Sequence, residues 1–124
     1  MQYLLIGIGG FLGANTRYLL GRWLDARYGG AFPLGTFIIN ISGSFLLALF
    51  MTLTTERIPL DPRWRFLLAV GFFGSYTTFS TFSVETFRLL ESGAWLLAMG
   101  NALGSVGFGL LGAWVGVLTA RTLW

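Results

Sequence analysis

The sequence contains no cysteine and no histidine, and only 10% of its 124 residues are charged. Without cysteine there is neither a disulfide framework nor a thiolate metal site, and the redox compartment stays undefined. Without either residue the usual general bases, nucleophiles and transition-metal ligands are missing, so any acid–base chemistry would fall to five carboxylates. An enzyme is not expected. Lysine is absent too: all eight cations are arginines, set singly at the edges of apolar runs rather than gathered into a patch. Nucleic acid is therefore not the expected partner, whereas arginines at such edges suit side chains that snorkel to bilayer headgroups.

What is present in quantity is apolar surface, since 55% of the residues are hydrophobic. That composition lies outside the soluble range and makes lipid the main solvent. Crossing about 30 Å of hydrocarbon takes roughly 20 helical residues. Four stretches qualify: about Tyr3 to Leu20, Leu34 to Leu53, Trp64 to Leu90, and Ala94 to Ala120. Arg17 is the first cation and lies downstream of the first apolar run, unlike the charge of a secretory signal, so that run is expected to be retained. Gly21 to Pro33 reads as a polar turn, Glu56 to Arg65 as a second loop, and Arg88, Glu91, Ser92 and Gly93 as a third. Connections this short make neighbouring spans antiparallel and predict a single four-span membrane domain over residues 1–124.

The arginines divide four against four: Arg57, Arg63, Arg65 and Arg121 on one side, Arg17, Arg22, Arg27 and Arg88 on the other. Positive charge thus sets no orientation. Either another signal decides it, or both orientations insert and pair as an inverted dimer. Among 18 glycines, Gly9 with Gly13, Gly100 with Gly104, and Gly112 with Gly116 recur at spacing four, the pattern of closely packed membrane helices within or between chains.

The third stretch carries an unusual composition at mid-depth, Gly71 to Ser83, in which Thr77, Thr78, Ser80, Thr81 and Ser83 follow glycines at 71 and 74. Side chains that compete for backbone hydrogen bonds permit a local break there. Carbonyls and amides freed in mid-membrane persist when buried in protein or bound to an ion. The alternative is a continuous helix whose hydroxyls bond back to it. Phe79 and Phe82 share a face of any helix beyond the break, and their positively polarised ring edges could attract an anion; they could equally be core or lipid contacts. On the second stretch Thr36, Asn40 and Ser44 form a polar stripe, and the Asn40 amide can donate either to an anion or to a neighbouring helix. Asn101 and Ser105 form a similar pair on the fourth. No ionised side chain sits at a span centre, where each costs about 2.5–3.5 kcal/mol.

These residues resemble the Fluc (CrcB) family of fluoride channels. The match lies in Gly13-Ala14-Asn15-Thr16-Arg17-Tyr18, in Gly35-Thr36 to Asn40 continuing through Gly43-Ser44-Phe45, and in Gly74 to Glu85 with its Thr-Thr-Phe-Ser-Thr-Phe block. The resemblance covers essentially the whole chain. It implies an all-α integral membrane protein with a third helix broken near its middle, inserted in the plasma (inner) membrane of a bacterium as an antiparallel, dual-topology homodimer with two pores. It implies passive fluoride export. Asn40 would donate near the fluoride path, Phe79 and Phe82 would turn ring edges to it, Ser80, Ser83 and Glu85 would line or flank it, and Thr36 would face a vestibule. Gly74 and Thr77 would offer main-chain carbonyls to a structural Na+ shared by both subunits, oxygen ligands being suited to a hard cation. A Cβ at position 74 is expected to strain a turn that glycine permits. Where many relatives carry an aromatic hydroxyl early in the fourth span, this chain has Asn101.

Two other readings remain. A small proton-coupled multidrug exporter is also a four-span, dual-topology dimer, but it needs an acid in its first span, and residues 1–24 contain none. A non-conducting assembly subunit would use the glycine faces and leave the polar cluster to helix packing. Glu85 has a local partner in Arg88, three residues on, or a transport role.

Overall fold

Hydrocarbon offers no hydrogen-bonding partner, so a chain this apolar must satisfy its backbone internally. The computed structural model describes residues 1–123, and every regular element among them is helical. Helix α1 spans Gln2–Tyr28 and α2 spans Leu34–Thr52, which widens into a π-helical turn over Leu53–Arg57. Helix α3 is a π-helical run, Arg65–Phe73, closed by one α turn, Gly74–Tyr76. Helix α4 follows at Phe79–Glu91 and α5 at Trp95–Thr122. Three helical stretches, Leu34–Arg57, Arg65–Glu91 and Trp95–Thr122, are long and apolar enough to cross a membrane.

Helix α1 does not turn at Gly21 as its polar residues suggest, but runs on to Tyr28. The extension buries Leu24 and carries Asp25 to the start of α2, where its carboxylate accepts the Gly35 N–H at 3.0 Å. An acid at a helix N-terminus satisfies an otherwise unpaired donor and complements the dipole. Phe32 packs edge-on against Phe37 with centroids 5.3 Å apart, stapling the residue before the cap to the first turn. Between α4 and α5, Gly93 has φ +81°, and the bonds Ala94 N–H to Leu89 and Gly93 N–H to Leu90 make a Schellman turn.

Helix α5 packs along α2, and α1 along the π-helical part of α3. Glycine makes both contacts possible. A Cβ on Gly9 would strike the Leu67 carbonyl, one on Gly13 the Phe72 carbonyl, and one on Gly71 would lie 2.8 Å from the Ile6 carbonyl. On α5, Gly112 and Gly116 lie against the carbonyls of Ile41 and Phe45. Gly100 has nothing within 4 Å, while a Cβ on Gly104 would lie 3.2 Å from the Phe37 ring, so this pair brings no two helix backbones together inside the chain. The buried core is small, centred on Ile39, Phe73 and Tyr76, while Phe11, Leu96 and Leu110 point outward. Outward apolar side chains are what lipid solvation allows.

Candidate functional site

Two residues interrupt the helical geometry between α3 and α4. Thr77 (φ −85°, ψ 157°) and Thr78 (φ −149°, ψ 124°) are both extended. Their β-branched side chains favour that region, and Gly43 on α2 makes room for it, since a Cβ there would collide with the Thr77 methyl group. Beyond the interruption Thr78 caps α4, its hydroxyl oxygen accepting the Thr81 N–H at 3.3 Å.

The Asn40 side chain pairs with this interruption through both ends of its amide. Its Oδ1 accepts the Thr78 N–H at 2.8 Å, and its Nδ2 donates to the Thr78 carbonyl at 2.9 Å. In a regular helix that Thr78 N–H would bond the Gly74 carbonyl, and the Thr81 N–H would bond that of Thr77. Among the described residues no hydrogen bond reaches either oxygen. Gly74 itself is exposed. Its backbone is right-handed α (φ −63°), and a Cβ there would meet nothing nearer than Ala69 O at 3.7 Å. The expected strain at this glycine is thus absent within the chain; its conformation is one any residue adopts.

A cavity of about 280 Å³ opens beside the interruption. Asn40 and Ser44 of α2, Thr77 and Thr78, Phe79 and Phe82 of α4, and Ser105 of α5 line it. Phe79 and Phe82 stand with ring centroids 5.8 Å apart and planes tilted by 49°, and Phe79 is 79% exposed in the isolated chain. Each hydroxyl on this wall already donates to the protein: Ser44 to the Asn40 carbonyl, Thr77 to the Phe73 carbonyl, Thr78 to the Thr81 hydroxyl, and Ser105 to Asn101 Oδ1. The Asn40 NH2 group has a second hydrogen beyond the one given to Thr78. The wall therefore presents one spare amide hydrogen, two phenylalanine rings, and hydroxyl rotors already turned to internal acceptors.

Other expected residues lie apart from this cavity. Thr36 donates to Glu85 Oε1 at 2.6 Å, and Glu85 with Asp25, Arg88 and Ser92 lines a second cavity of about 690 Å³ near the α1–α2 connection. Ser80 and Ser83 are exposed on α4 and line neither space. Asn101 is buried behind the wall, where Nδ2 donates to the Thr86 hydroxyl at 2.8 Å and Oδ1 holds Ser105. Sequence reasoning missed Ser75 and Arg17. The Ser75 hydroxyl lies within 3.2 Å of the Gly10, Gly71 and Phe72 carbonyls and can donate to one at a time. The Arg17 guanidinium donates to the Ser75 carbonyl at 3.1 Å. Spacing four from Gly9 through Gly13 to Arg17 marks the face that meets Ser75, but no local pattern names the partner.

Comparison with known proteins adds an independent line. The family model described as CrcB-like protein, Camphor Resistance (CrcB), matches residues 4–117. A protein of Solibacter usitatus named fluoride-specific ion channel FluC is 48% identical, over 98% of this chain and 99% of its own. Proteins of the same name from Koribacter versatilis and Chloroflexus aurantiacus are 48% and 46% identical, over 82% and 95% of this chain and 81% and 94% of their own.

Proposed function

The chain belongs to the CrcB family, and from that premise we propose that it is a multi-pass membrane channel that conducts fluoride passively and is not an enzyme. The observation that carries this reading is the wall beside Thr77 and Thr78, where an amide, several hydroxyls and two phenylalanine rings line one cavity with no charged side chain among them. A small, strongly hydrated anion needs hydrogen-bond donors to replace its water. It also needs weak enough binding to leave. Donors already engaged by the protein meet both conditions, because each contact with the ion is offset by an internal bond given up. A lysine on the wall would instead hold the anion as a deep trap.

In this reading α1 is a fourth span. Its polar residues are compatible with lipid depth, because Asn15 Nδ2 donates to the Phe11 carbonyl and the Thr16 hydroxyl to that of Leu12, both at 2.7 Å. Two copies in opposite orientation form the working unit with two pores, which the balanced arginines permit. Thr36 and Glu85 stand at one approach to the path. Ser80 and Ser83, exposed in one chain, become lining residues where the second copy closes over α4.

The unbonded carbonyls of Gly74 and Thr77 fit a structural Na+ between the copies. They are hard oxygen donors, they lack any internal partner, and Gly74 is open to a neighbour. When bound, the ion would neutralise main-chain oxygens that hydrocarbon cannot satisfy and join the two subunits. This chain's own residues hold those oxygens in place and carry the anion path.

The test is purified protein reconstituted in liposomes under outward fluoride or chloride gradients. Fluoride should leave much faster than chloride. Equal release of both, or of neither, refutes the channel.

A further inference from the structure

We infer that Asn40 is the positioning residue for the cation site, acting through Thr78, in addition to any contact with the anion. The inference rests on the proposed Na+ site at the Gly74 and Thr77 carbonyls. Asn40 belongs to α2, 38 residues before Thr78, and neither of its amide atoms touches those carbonyls. Its effect on them is indirect and follows from which donor goes where.

The Thr78 amide hydrogen has two possible acceptors. One is the Gly74 carbonyl, four residues back, which would continue the helix. The other is Asn40 Oδ1, which holds it at 2.8 Å. A carbonyl that accepts a helical hydrogen bond gives up a lone pair and takes a direction along the helix axis. By taking the Thr78 N–H, Asn40 keeps the Gly74 oxygen free, and by donating from Nδ2 at 2.9 Å it fixes the Thr78 peptide plane in its extended setting. The same two bonds hold Thr77 between a helix that has ended and a cap that has begun. Thr77 still donates its own N–H to the Phe73 carbonyl at 3.2 Å, and the Thr81 N–H is retained by the Thr78 hydroxyl. The Gly74 oxygen is thus kept free by Asn40, and the Thr77 oxygen by the hydroxyl of Thr78, whose peptide Asn40 fixes, which couples the two sites through a single peptide.

The two ends of the Asn40 amide can be separated by substitution. Asn40→Leu removes both bonds at similar volume and lets the Thr78 N–H return to Gly74. Asn40→Asp loses the Nδ2 donor but keeps an oxygen for the Thr78 N–H, whether the acid is ionised or neutral. The experiment titrates Na+ against thermal unfolding of the detergent-solubilised protein, with choline holding ionic strength constant, and measures fluoride efflux in parallel.

Wild type should be stabilised by Na+ with a saturable midpoint. N40L should need about tenfold more Na+ or greater, the equivalent of one net hydrogen bond. N40D should keep the wild-type midpoint or a lower one, while its fluoride efflux falls. A wild type indifferent to Na+ would remove the cation site and the inference with it. A Na+-dependent wild type with an unshifted N40L midpoint would overturn the inference and leave the site standing. If N40L does not fold, N40D decides: a midpoint raised about tenfold would show that keeping the acceptor is not what sets the site.

Discussion

Replacing Gly13 with alanine tests the packing on which the interruption rests. Gly13 lies where α1 crosses α3, and the new methyl group would strike the Phe72 carbonyl and the Ser75 hydroxyl. The first is backbone and cannot rotate away, so the helices must separate. Overpacking of this kind costs about 1–3 kcal/mol. Separation also lengthens two contacts that tie α1 to Ser75, from its hydroxyl to the Gly10 carbonyl at 3.0 Å and from Arg17 to its carbonyl at 3.1 Å. Each is worth about 1 kcal/mol net. Alanine returns about 1 kcal/mol of helix propensity, leaving a loss of about 2–4 kcal/mol. Gly107→Ala on α5 is the control, because it has nothing within 4 Å and gains the propensity alone. Denaturant-induced unfolding in detergent should therefore rank G107A at or above wild type and G13A well below both. A G13A protein as stable as G107A would refute the claim that a backbone-to-backbone contact at Gly13 holds α1 on α3.

Two further outcomes bear on the proposed channel. Phe79→Ile or Phe82→Ile keeps apolar bulk and removes the polarised ring edge, so fluoride efflux should fall by about tenfold or more in correctly assembled protein, whereas a packing role predicts near-normal flux. Two or three lysines added after Trp124 should bias insertion toward one orientation. Reporter fusions would show the bias, efflux should drop because an inverted dimer needs both orientations, and a single orientation in the unmodified chain would end the dual-topology reading.

The solvent of this protein was legible from composition, and so was its helical class. Long apolar runs bounded by arginine leave the backbone no partner but itself, and that constraint acts on each stretch locally. The polar residues that matter were legible as well, because Asn40 and the run from Thr77 to Ser83 are costly in an apolar stretch wherever they point. Their partners were not. Asn40 could serve an anion or another helix on sequence grounds, and the structure pairs it with the Thr78 peptide through both amide atoms. Asn101 and Ser105 looked equivalent, yet Ser105 reaches the cavity while Asn101 is buried against Thr86 behind it. Gly9, Gly13 and Gly100 share one spacing rule, but the first two meet backbone and the third meets nothing in the chain. Helix α1 passes its polar residues without turning because Asp25 finds its use at the start of α2. Hydropathy and spacing report what each residue prefers as solvent and which neighbours share its helix face. Which donor meets which acceptor depends on the rotation and offset of helices far apart in sequence, and only their packing sets those.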